Sequence, residues 1–243
     1  MRSFLVLFTA AASLGAASVA HACRAASGPL RTPVIELYTS EGCSSCPPAD
    51  RWLSTLKGAA AQGQVVPQAF HVGYWDYIGW VDRFAAPSHT ARQRELAAVH
   101  RARNIYTPQL VRDGQDWRDW NGAPTPAPAT QPAQAAIQME STEPGTVEAS
   151  VTPAPGVGTW SAYWTVTEHG HGSKVRAGEN AGEQLRHDFV VRQYVPVGTY
   201  QGPQRLRLRT VAVDAAHPRQ VNLVVFEPRS LRPLQALSLA CTG

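Results

Sequence analysis

Residues 34–50 have the sequence VIELYTSEGCSSCPPAD, and most of the fold prediction starts from them. The run at 34–39 is β-prone and apolar enough to be a buried strand. A turn leads from it to Cys43 and Cys46, and the two prolines that follow suit the first turn of a helix. The stretch therefore predicts a pair of cysteines at a strand-to-helix junction.

The spacing of Cys43 and Cys46 is typical of a redox-active pair. A thiol at a helix N-terminus lies near unpaired amides and the positive end of the helix dipole, which favour the thiolate that attacks disulfides. Cys43 is thus the predicted nucleophile, and Cys46, about one turn on, is the predicted resolving thiol. Two other interpretations stay open, namely half of a zinc site, which would need further ligands, and a static disulfide.

The residues after the motif predict a β-α-β unit. A helix is expected over 49–57 and a second strand over 64–72, which the helical crossover makes parallel to the first. A further helix is predicted over 87–103. Residues 105–114 then have the pattern of a strand that is entered through a proline and closed by an Asp-Gly turn.

Residues 33–114 resemble a thioredoxin-fold domain in which the helix at 87–103 is an insertion. The resemblance implies that Pro108 is cis, although only about 5% of X-Pro bonds in folded proteins are. It also implies that Thr107 presents an extended backbone to a substrate strand and that the proline shields the thiols from metal. Thr107 and Pro108 are therefore the predicted substrate-positioning residues.

A closer resemblance covers most of the mature chain. Residues 34–50, 71–76 (HVGYWD), 106–109 (YTPQ) and 178–182 (GENAG), followed by His187, are similar to the signature of a secreted bacterial family catalogued as domain of unknown function 1223. That resemblance implies a thioredoxin-like domain, a C-terminal β region and an exported location. It implies no substrate.

The motif departs from that of ordinary thioredoxin, because Gly42 stands where a tryptophan is usual and the intervening pair is Ser44-Ser45. These residues match neither reductants nor strong oxidants, so the direction of electron transfer is left open. Glu36 is a candidate proton acceptor, one residue out of register with the buried acid of that fold. A solvated carboxylate at a strand edge is its alternative role.

His71 and Trp75 are the remaining auxiliary candidates. His71 ends the second strand at the same sheet edge as Cys43, where a Cys-Cys-His copper(I) site or a simple hydrogen-bonded histidine would both fit. Trp75 belongs to an aromatic run, residues 74–84, that suits either a peptide-binding rim or core packing. The prediction includes no cofactor and no resident metal.

The second half of the sequence predicts a mainly antiparallel, sandwich-like β domain. Its expected strands are residues 147–151, 160–167, 189–194, 206–213, 221–226 and 234–240. The predicted fold class is thus an α/β thioredoxin-like domain with an inserted helix, followed by this β domain. The predicted organisation is a signal peptide at 1–22, the thioredoxin-like domain at 23–120, a Pro/Ala-rich linker at 121–145 and the β domain at 146–243.

The N-terminus has the pattern of a secretory signal. Arg2 precedes an apolar run at 4–20, and Ala20-His21-Ala22 is an A-x-A cleavage site. A membrane anchor and lipidation of Cys23 are alternatives; Ala20 and His21 are not the residues that a lipoprotein signal normally has there. The sequence predicts a periplasmic or secreted protein without stable membrane insertion after cleavage.

Export implies an oxidising compartment, in which disulfides persist. Because domain termini often lie close together, we expect a structural disulfide between Cys23 and Cys241. In the chain-entropy model a loop of this length gives about 5 kcal/mol of stability. Free or intermolecular thiols are the alternative.

The charge balance argues against a nucleic-acid partner. The chain has 22 Lys and Arg against 18 Asp and Glu, a net charge of +4, and no run of basic residues.

The leading function prediction is a thiol–disulfide oxidoreductase that acts on exported protein thiols or disulfides with an unidentified redox partner. The alternatives are a copper(I) or thiol-metal chaperone using Cys43, Cys46 and His71, and a non-catalytic binding module whose cysteines form a locked bridge. The sequence assigns no oligomeric state.

Overall fold

The computed structural model describes residues 23–122 and 129–241, apart from the side chain of Thr142. The predicted signal peptide and part of the predicted linker, residues 123–128, lie outside the described residues. The helices are α1 (Pro47–Ser54), α2 (Lys57–Ala61) and α3 (Pro87–Val99), with short 3-10 helices at Asp76–Ile78 and Asp119–Gly122. The strands, in chain order, are β1 (Cys23–Ala26), β2 (Val34–Thr39), β3 (Val66–His71), β4 (Gln109–Arg112), β5 (Gln115–Asp116), β6 (Ala135–Glu143), β7 (Thr146–Pro153), β8 (Thr159–Glu168), β9 (His171–Lys174), β10 (Gln184–His187), β11 (Val190–Gln201), β12 (Gln204–Arg209), β13 (Arg219–Phe226) and β14 (Pro233–Leu239).

The strands of the described residues form three sheets. The largest has eight strands in the order β14-β13-β8-β11-β3-β2-β4-β5, the second has the order β1-β6-β7-β12, and β9 and β10 form a hairpin. Every residue of β2 and β3 is buried, as expected for parallel strands covered on both faces. The carboxyl ends of these two central strands carry the side chains described below.

The predicted fold class is wrong. Of the described residues, 43% lie in strands and 16% in helices, and the sheets do not separate into an α/β thioredoxin-like domain and a β-sandwich. Instead β11 pairs in parallel with β3, through Val190 and Ala69, and joins β8, β13 and β14 to the sheet of the N-terminal half. A β-α-β unit leaves the outer edge of β3 unpaired, and an exposed edge of backbone amides and carbonyls favours addition of another strand.

The predicted strand pairing and helix starts of the N-terminal half are confirmed. β2 and β3 pair in parallel, and β4 pairs with β2 in the antiparallel sense. Helix α1 begins at the predicted prolines, with Pro47 as its first residue, and α3 falls inside the predicted range of 87–103. The first predicted helix is shorter than expected, because the chain turns at residues 55–56 before α2.

Part of the predicted linker is a strand. Residues 135–143 form β6, which pairs with β7 on one side and with β1 on the other. Ile137 and Met139 point into the core and alternate with polar neighbours, which is the pattern of a half-buried strand. The high content of Pro, Ala and Gln around them obscured this alternation in the sequence.

One hydrophobic core is shared by the two halves of the chain. Tyr38 and Phe70 from the central strands pack in the same cluster as Tyr163 and Val224 from β8 and β13. A second cluster lies between the four-stranded sheet and the neighbouring part of the large sheet. The strands on both sides of the predicted linker are therefore buried against each other.

The predicted Cys23–Cys241 disulfide is confirmed. It joins β1 to the segment after β14, across a sequence separation of 218 residues. A sulfur held in this bond is not available for a lipid thioether, so the structure favours the disulfide over lipidation of Cys23. None of the described helices is long and apolar enough to span a membrane.

Candidate functional site

Cys43 and Cys46 form a disulfide at the junction between β2 and α1. Cys46 is the N-cap of α1, and its carbonyl accepts hydrogen bonds from the amides of Ala49 and Asp50. Cys43 is 1% exposed and Cys46 is fully buried, whereas the two serines between them face solvent. The disulfide thus lies just below the surface, at the strand-to-helix junction predicted for the two cysteines.

The Thr107–Pro108 peptide bond is cis, as predicted. Strand β4 begins at the next residue, Gln109, which pairs with Tyr38 near the carboxyl end of β2. Thr107 and Pro108 therefore lie at the same end of the sheet as the disulfide. A shallow groove beside Pro108 is lined by Tyr106, Trp117 and Trp120 among other residues.

Trp75 connects the loop that contains Thr107 and Pro108, called the proline loop below, to the cysteine motif at residues 43–46. Its Nε1 donates a hydrogen bond to Thr107 Oγ1 at 2.8 Å. A Cβ added to Gly42 would lie 3.0 Å from the Cβ of Trp75, so glycine is the residue that this contact accommodates. Trp75 is partly buried, and it occupies the space that a larger residue before Cys43 would need.

Glu36 has a different environment from the one expected. Its carboxylate forms a buried ion pair with Arg92 and accepts hydrogen bonds from the hydroxyls of Tyr38 and Tyr163, each at 2.7 Å. Burial alone would raise the pKa of Glu36, but the charge and hydrogen bonds of Arg92 lower it. Glu36 is a partner of α3 and β8 in the shared core.

His71 lies at the carboxyl end of β3 and is completely buried. Its Nδ1 is 2.7 Å from Asp82 Oδ2, and because a carboxylate only accepts, Nδ1 carries the hydrogen. Asp82 also accepts hydrogen bonds from the amides of Glu41 and Phe84. Burial would raise the pKa of Asp82, but His71 and these hydrogen bonds lower it to about 2.

His187 comes from β10 and meets the cysteine-bearing segment from the other side. Its Nε2 lies 3.3 Å from Glu41 Oε1, and its Nδ1 lies 3.6 Å from Asp50 Oδ1. Asp50 is on α1, one turn after Cys46, and its second oxygen accepts a hydrogen bond from Thr39. Although burial lowers the pKa of His187, the carboxyl groups of Asp50 and Glu41 raise it to about 10.

These side chains form one buried group, which we call the acid–histidine cluster: Glu41, Asp50, His71, Asp82 and His187. Of these five residues, only His71 was predicted from the sequence as a potential metal ligand. Among the described residues, ligand atoms of Asp50, His71 and His187 lie within 4.8 Å of one another, and neither cysteine belongs to that set. The available signal in the sequence was the presence of two acidic residues, Glu41 and Asp50, on either side of the cysteine pair.

Residues 178–182, between β9 and β10, lie over the disulfide and are called the cover segment below. Asn180 Nδ2 donates hydrogen bonds to the carbonyls of Glu41 and Cys43, at 2.8 and 2.9 Å. Glu179 accepts hydrogen bonds from both the amide and the hydroxyl of Ser44. In the sequence this segment stands out only through the family resemblance of residues 178–182.

Two solved structures share this fold. A crystal structure of a protein from Agrobacterium tumefaciens is similar over 88% of this chain and 96% of its own, with a TM-score of 0.63 and 22% identity. The structure of HBP35 of Porphyromonas gingivalis is similar over 87% of this chain and 75% of its own, with a TM-score of 0.60 and 10% identity. At these identities the likeness concerns the fold alone.

No curated protein matches the sequence. A family profile does match it, over residues 34–227, which include the cysteine motif, the proline loop, the acid–histidine cluster and the cover segment. The matched range spans most of the chain. The protein belongs to the family described as protein of unknown function, DUF1223.

Proposed function

We propose that the protein is an exported thiol–disulfide oxidoreductase that exchanges disulfides with the cysteines of other exported proteins through Cys43 and Cys46. The observation that carries the proposal is the disulfide between these residues at the start of α1. When the bond is broken, a thiolate at this position is stabilised by the unpaired amides of the first helical turn. A purely structural bridge would not require that placement.

The exchange is a two-step transfer of two electrons. A substrate thiolate attacks the sulfur of Cys43, the Cys43–Cys46 bond breaks, and Cys46 leaves as a thiolate that takes up a proton. A second substrate thiolate, formed by loss of its proton, then attacks the mixed disulfide and releases an oxidised substrate and the Cys43 thiolate. The same steps in reverse reduce a substrate disulfide, with an exported dithiol partner supplying the electrons.

Thr107 and Pro108 are proposed to position the substrate segment. They lie at the same sheet end as the disulfide, next to the aromatic groove formed by Tyr106, Trp117 and Trp120. Since Cys43 is 1% exposed, a substrate reaches its sulfur only when the cover segment moves away. The hydrogen bonds of Asn180 and Glu179 therefore control access in this proposal.

The test combines a potential with a trapping experiment. The full mature chain is equilibrated in glutathione buffers, and the redox state of Cys43–Cys46 is followed by alkylation and mass spectrometry. We expect a potential above about −300 mV, since structural disulfides are usually harder to reduce. In cells, Cys46→Ala should accumulate mixed disulfides with exported proteins, which would also identify the redox partner.

Cys43→Ala is the matched control, because it keeps one motif cysteine but removes the proposed nucleophile. It should trap far less than Cys46→Ala. The Cys23–Cys241 bond is an internal reference and should stay oxidised in the same buffers. A potential as low as that of the reference bond, together with no adducts on Cys46→Ala, would show that the motif is a static bridge.

A further inference from the structure

The acid–histidine cluster contains buried polar atoms without hydrogen-bond partners. His71 Nε2, His187 Nδ1 and Nε2, and Glu41 Oε1 are fully buried and make no hydrogen bond of acceptable geometry. Leaving a buried polar atom unpaired costs free energy, and each such atom in a native structure calls for an explanation. Here the unpaired atoms lie together, on side chains from β3, β10 and the turn after β2.

We propose that His71, His187 and Asp50 bind a divalent transition-metal ion, for which Zn²⁺ is the best match. One ligand atom from each of these residues lies within 4.8 Å of the others. We assign His71 Nε2, His187 Nδ1 and Asp50 Oδ1 as the ligand atoms, because the other nitrogen of each histidine and the other oxygen of Asp50 face Asp82, Glu41 and Thr39. His187 Nδ1 and Asp50 Oδ1 are 3.6 Å apart. In a tetrahedral zinc site with ligands at about 2.1 Å, neighbouring ligand atoms are about 3.4 Å apart. The pair of His187 and Asp50 is already close to that spacing, and the His71 side chain would move closer to both when an ion binds.

The outer partners of the three ligands are already in place. His71 donates Nδ1–H to Asp82, which leaves the lone pair on Nε2 free for an ion. His187 Nε2 lies 3.3 Å from Glu41, and Asp50 Oδ2 accepts a hydrogen bond from Thr39. Nδ1 and Oδ1 are therefore the atoms left for an ion, which would displace the proton from Nδ1 when it binds. Metal-binding histidines almost always have such a carboxylate or carbonyl on the other ring nitrogen.

The ligand types determine the class of ion. Two imidazoles and one carboxylate suit Zn²⁺, Fe²⁺, Co²⁺ and Ni²⁺, whereas Mg²⁺ and Ca²⁺ prefer oxygen ligands alone. Three protein ligands also leave one position of a tetrahedron for water. The set excludes Cys43 and Cys46, so the site differs from a copper site built on the thiols.

An ion here would hold three elements together beneath the disulfide. Asp50 belongs to α1, His71 ends β3, and His187 ends β10. The cover segment leads directly into β10, so the ion would fix the position of that segment over Cys43.

The proposal is tested on the oxidised full-length mature chain, with Zn²⁺ as the probe and Co²⁺ as its spectroscopic substitute. We expect one Zn²⁺ per chain after dialysis, measured by elemental analysis, and a Co²⁺ visible spectrum of a four-coordinate ion. Cys43→Ala/Cys46→Ala should keep the stoichiometry and the spectrum, although it abolishes disulfide exchange. Failure of the proposed function and failure of the metal site are therefore separate outcomes.

Asp50→Asn and His187→Gln should each weaken Zn²⁺ binding more than 100-fold, and Asp82→Asn should weaken it 10- to 100-fold through His71. His217→Gln is the matched control, because His217 is a nearby histidine outside the cluster, and it should bind as the wild type does. Zn²⁺ should raise the melting temperature of the wild type and of this control, but not of Asp50→Asn.

The proposal is overturned if the wild type binds none of Zn²⁺, Co²⁺, Fe²⁺ and Ni²⁺ at micromolar concentrations. It is also overturned if Asp50→Asn and His187→Gln bind like the wild type, or if binding disappears in Cys43→Ala/Cys46→Ala. In the first case, NMR should be used to follow the His187 imidazole at neutral pH. A doubly protonated ring would show that a proton, held between Glu41 and Asp50, takes the place of the ion.

Discussion

At the scale of single residues, the ion pair of Glu36 and Arg92 is buried in the core, and the stability of the fold should depend on it. Their side chains are 3% and 4% exposed, and the hydroxyls of Tyr38 and Tyr163 complete the hydrogen bonding of the carboxylate. A charge in such a place is tolerated only because it is paired. The pair joins β2 to α3, and Tyr163 brings β8 into the same network.

Arg92→Met should lower the free energy of unfolding by about 3–5 kcal/mol, because it leaves the Glu36 carboxylate buried without its partner. Urea unfolding followed by circular dichroism measures the change. The double variant Glu36→Gln/Arg92→Met should recover part of the loss, since no charge is then left behind. A single variant that loses less than the double one would contradict this view.

His171 is a second residue whose environment has a measurable consequence. Burial, with the positive charges of His217, Arg192 and Arg83, lowers the pKa of His171 to about 4 from the ordinary 6.5. The imidazole nitrogen Nε2 lies 2.9 Å from the carboxylate of Glu168. Between about pH 6.5 and 4, an unfolded chain binds a proton at this residue that the folded chain does not.

The free energy of unfolding should therefore decrease as the pH falls from about 6.5 to 4, and His171→Gln should make this decrease smaller. Denaturant unfolding of both proteins at intervals across that range gives the difference, in which the contributions of the other histidines cancel. His100→Gln provides a control away from this group of charges. If the two stability curves run parallel, the pKa of His171 is not lowered.

At the scale of elements, the connection between β9 and β10 lies over the disulfide. Asn180 is buried and donates two hydrogen bonds to the backbone around Cys43, whereas its neighbours on both sides are exposed. A short segment held by so few bonds opens at a low cost in free energy compared with global unfolding. The cover segment is therefore the part of the site that we expect to open first.

Asn180→Ala should speed the reduction of Cys43–Cys46 by a phosphine about ten- to thirty-fold, because two hydrogen bonds contribute about 1 kcal/mol each to the closed form. Alkylation of quenched samples and mass spectrometry give the rate. Gln184→Ala, at an exposed position of β10, should leave it unchanged. An unchanged rate in Asn180→Ala would mean that the cover segment does not limit access.

At the scale of the whole molecule, the sheet runs through both halves of the chain. β3 has β2 on one side and β11 on the other, and Tyr38 and Phe70 are buried by Tyr163 and its neighbours from the C-terminal half. A fragment of residues 23–122 would expose the outer edge of β3 and this apolar surface together. Such an edge is a template for aggregation.

We therefore expect that the fragment 23–122, expressed alone, neither unfolds cooperatively nor stays monomeric. Thermal unfolding followed by circular dichroism and size-exclusion chromatography test this against the intact mature chain. A fragment that melts cooperatively as a monomer would make the predicted boundary near residue 120 a true domain boundary.

The two disulfides should differ in their contribution to stability. Cys23→Ala/Cys241→Ala should lower the free energy of unfolding by up to about 5 kcal/mol, since the bond closes nearly the whole chain. Cys43→Ala/Cys46→Ala, which opens a loop of only a few residues, should cost about 2 kcal/mol in the same model. Guanidinium unfolding without reductant gives both values, and the reverse order would contradict the chain-entropy argument.

The parts that were predictable from sequence are those fixed by neighbouring residues. The cysteine spacing, the prolines at the start of α1 and the strand that begins after Pro108 each have a local pattern with a physical cause. The pairing of Val190 with Ala69 has none, because the two residues are far apart and a buried strand looks the same whichever edge it joins. For the same reason, the contacts of His187 with Asp50 and of Arg92 with Glu36 could not be predicted from the sequence.

The Cys23–Cys241 bond also has a consequence for the order of events during biosynthesis. It cannot form until residue 241 has been synthesised and both cysteines have reached an oxidising environment. A chain that stops earlier keeps an unpaired thiol at residue 23, which is open to capture by a cellular oxidase or by another chain. The presence of the closed bond therefore shows that the chain has been synthesised at least as far as residue 241.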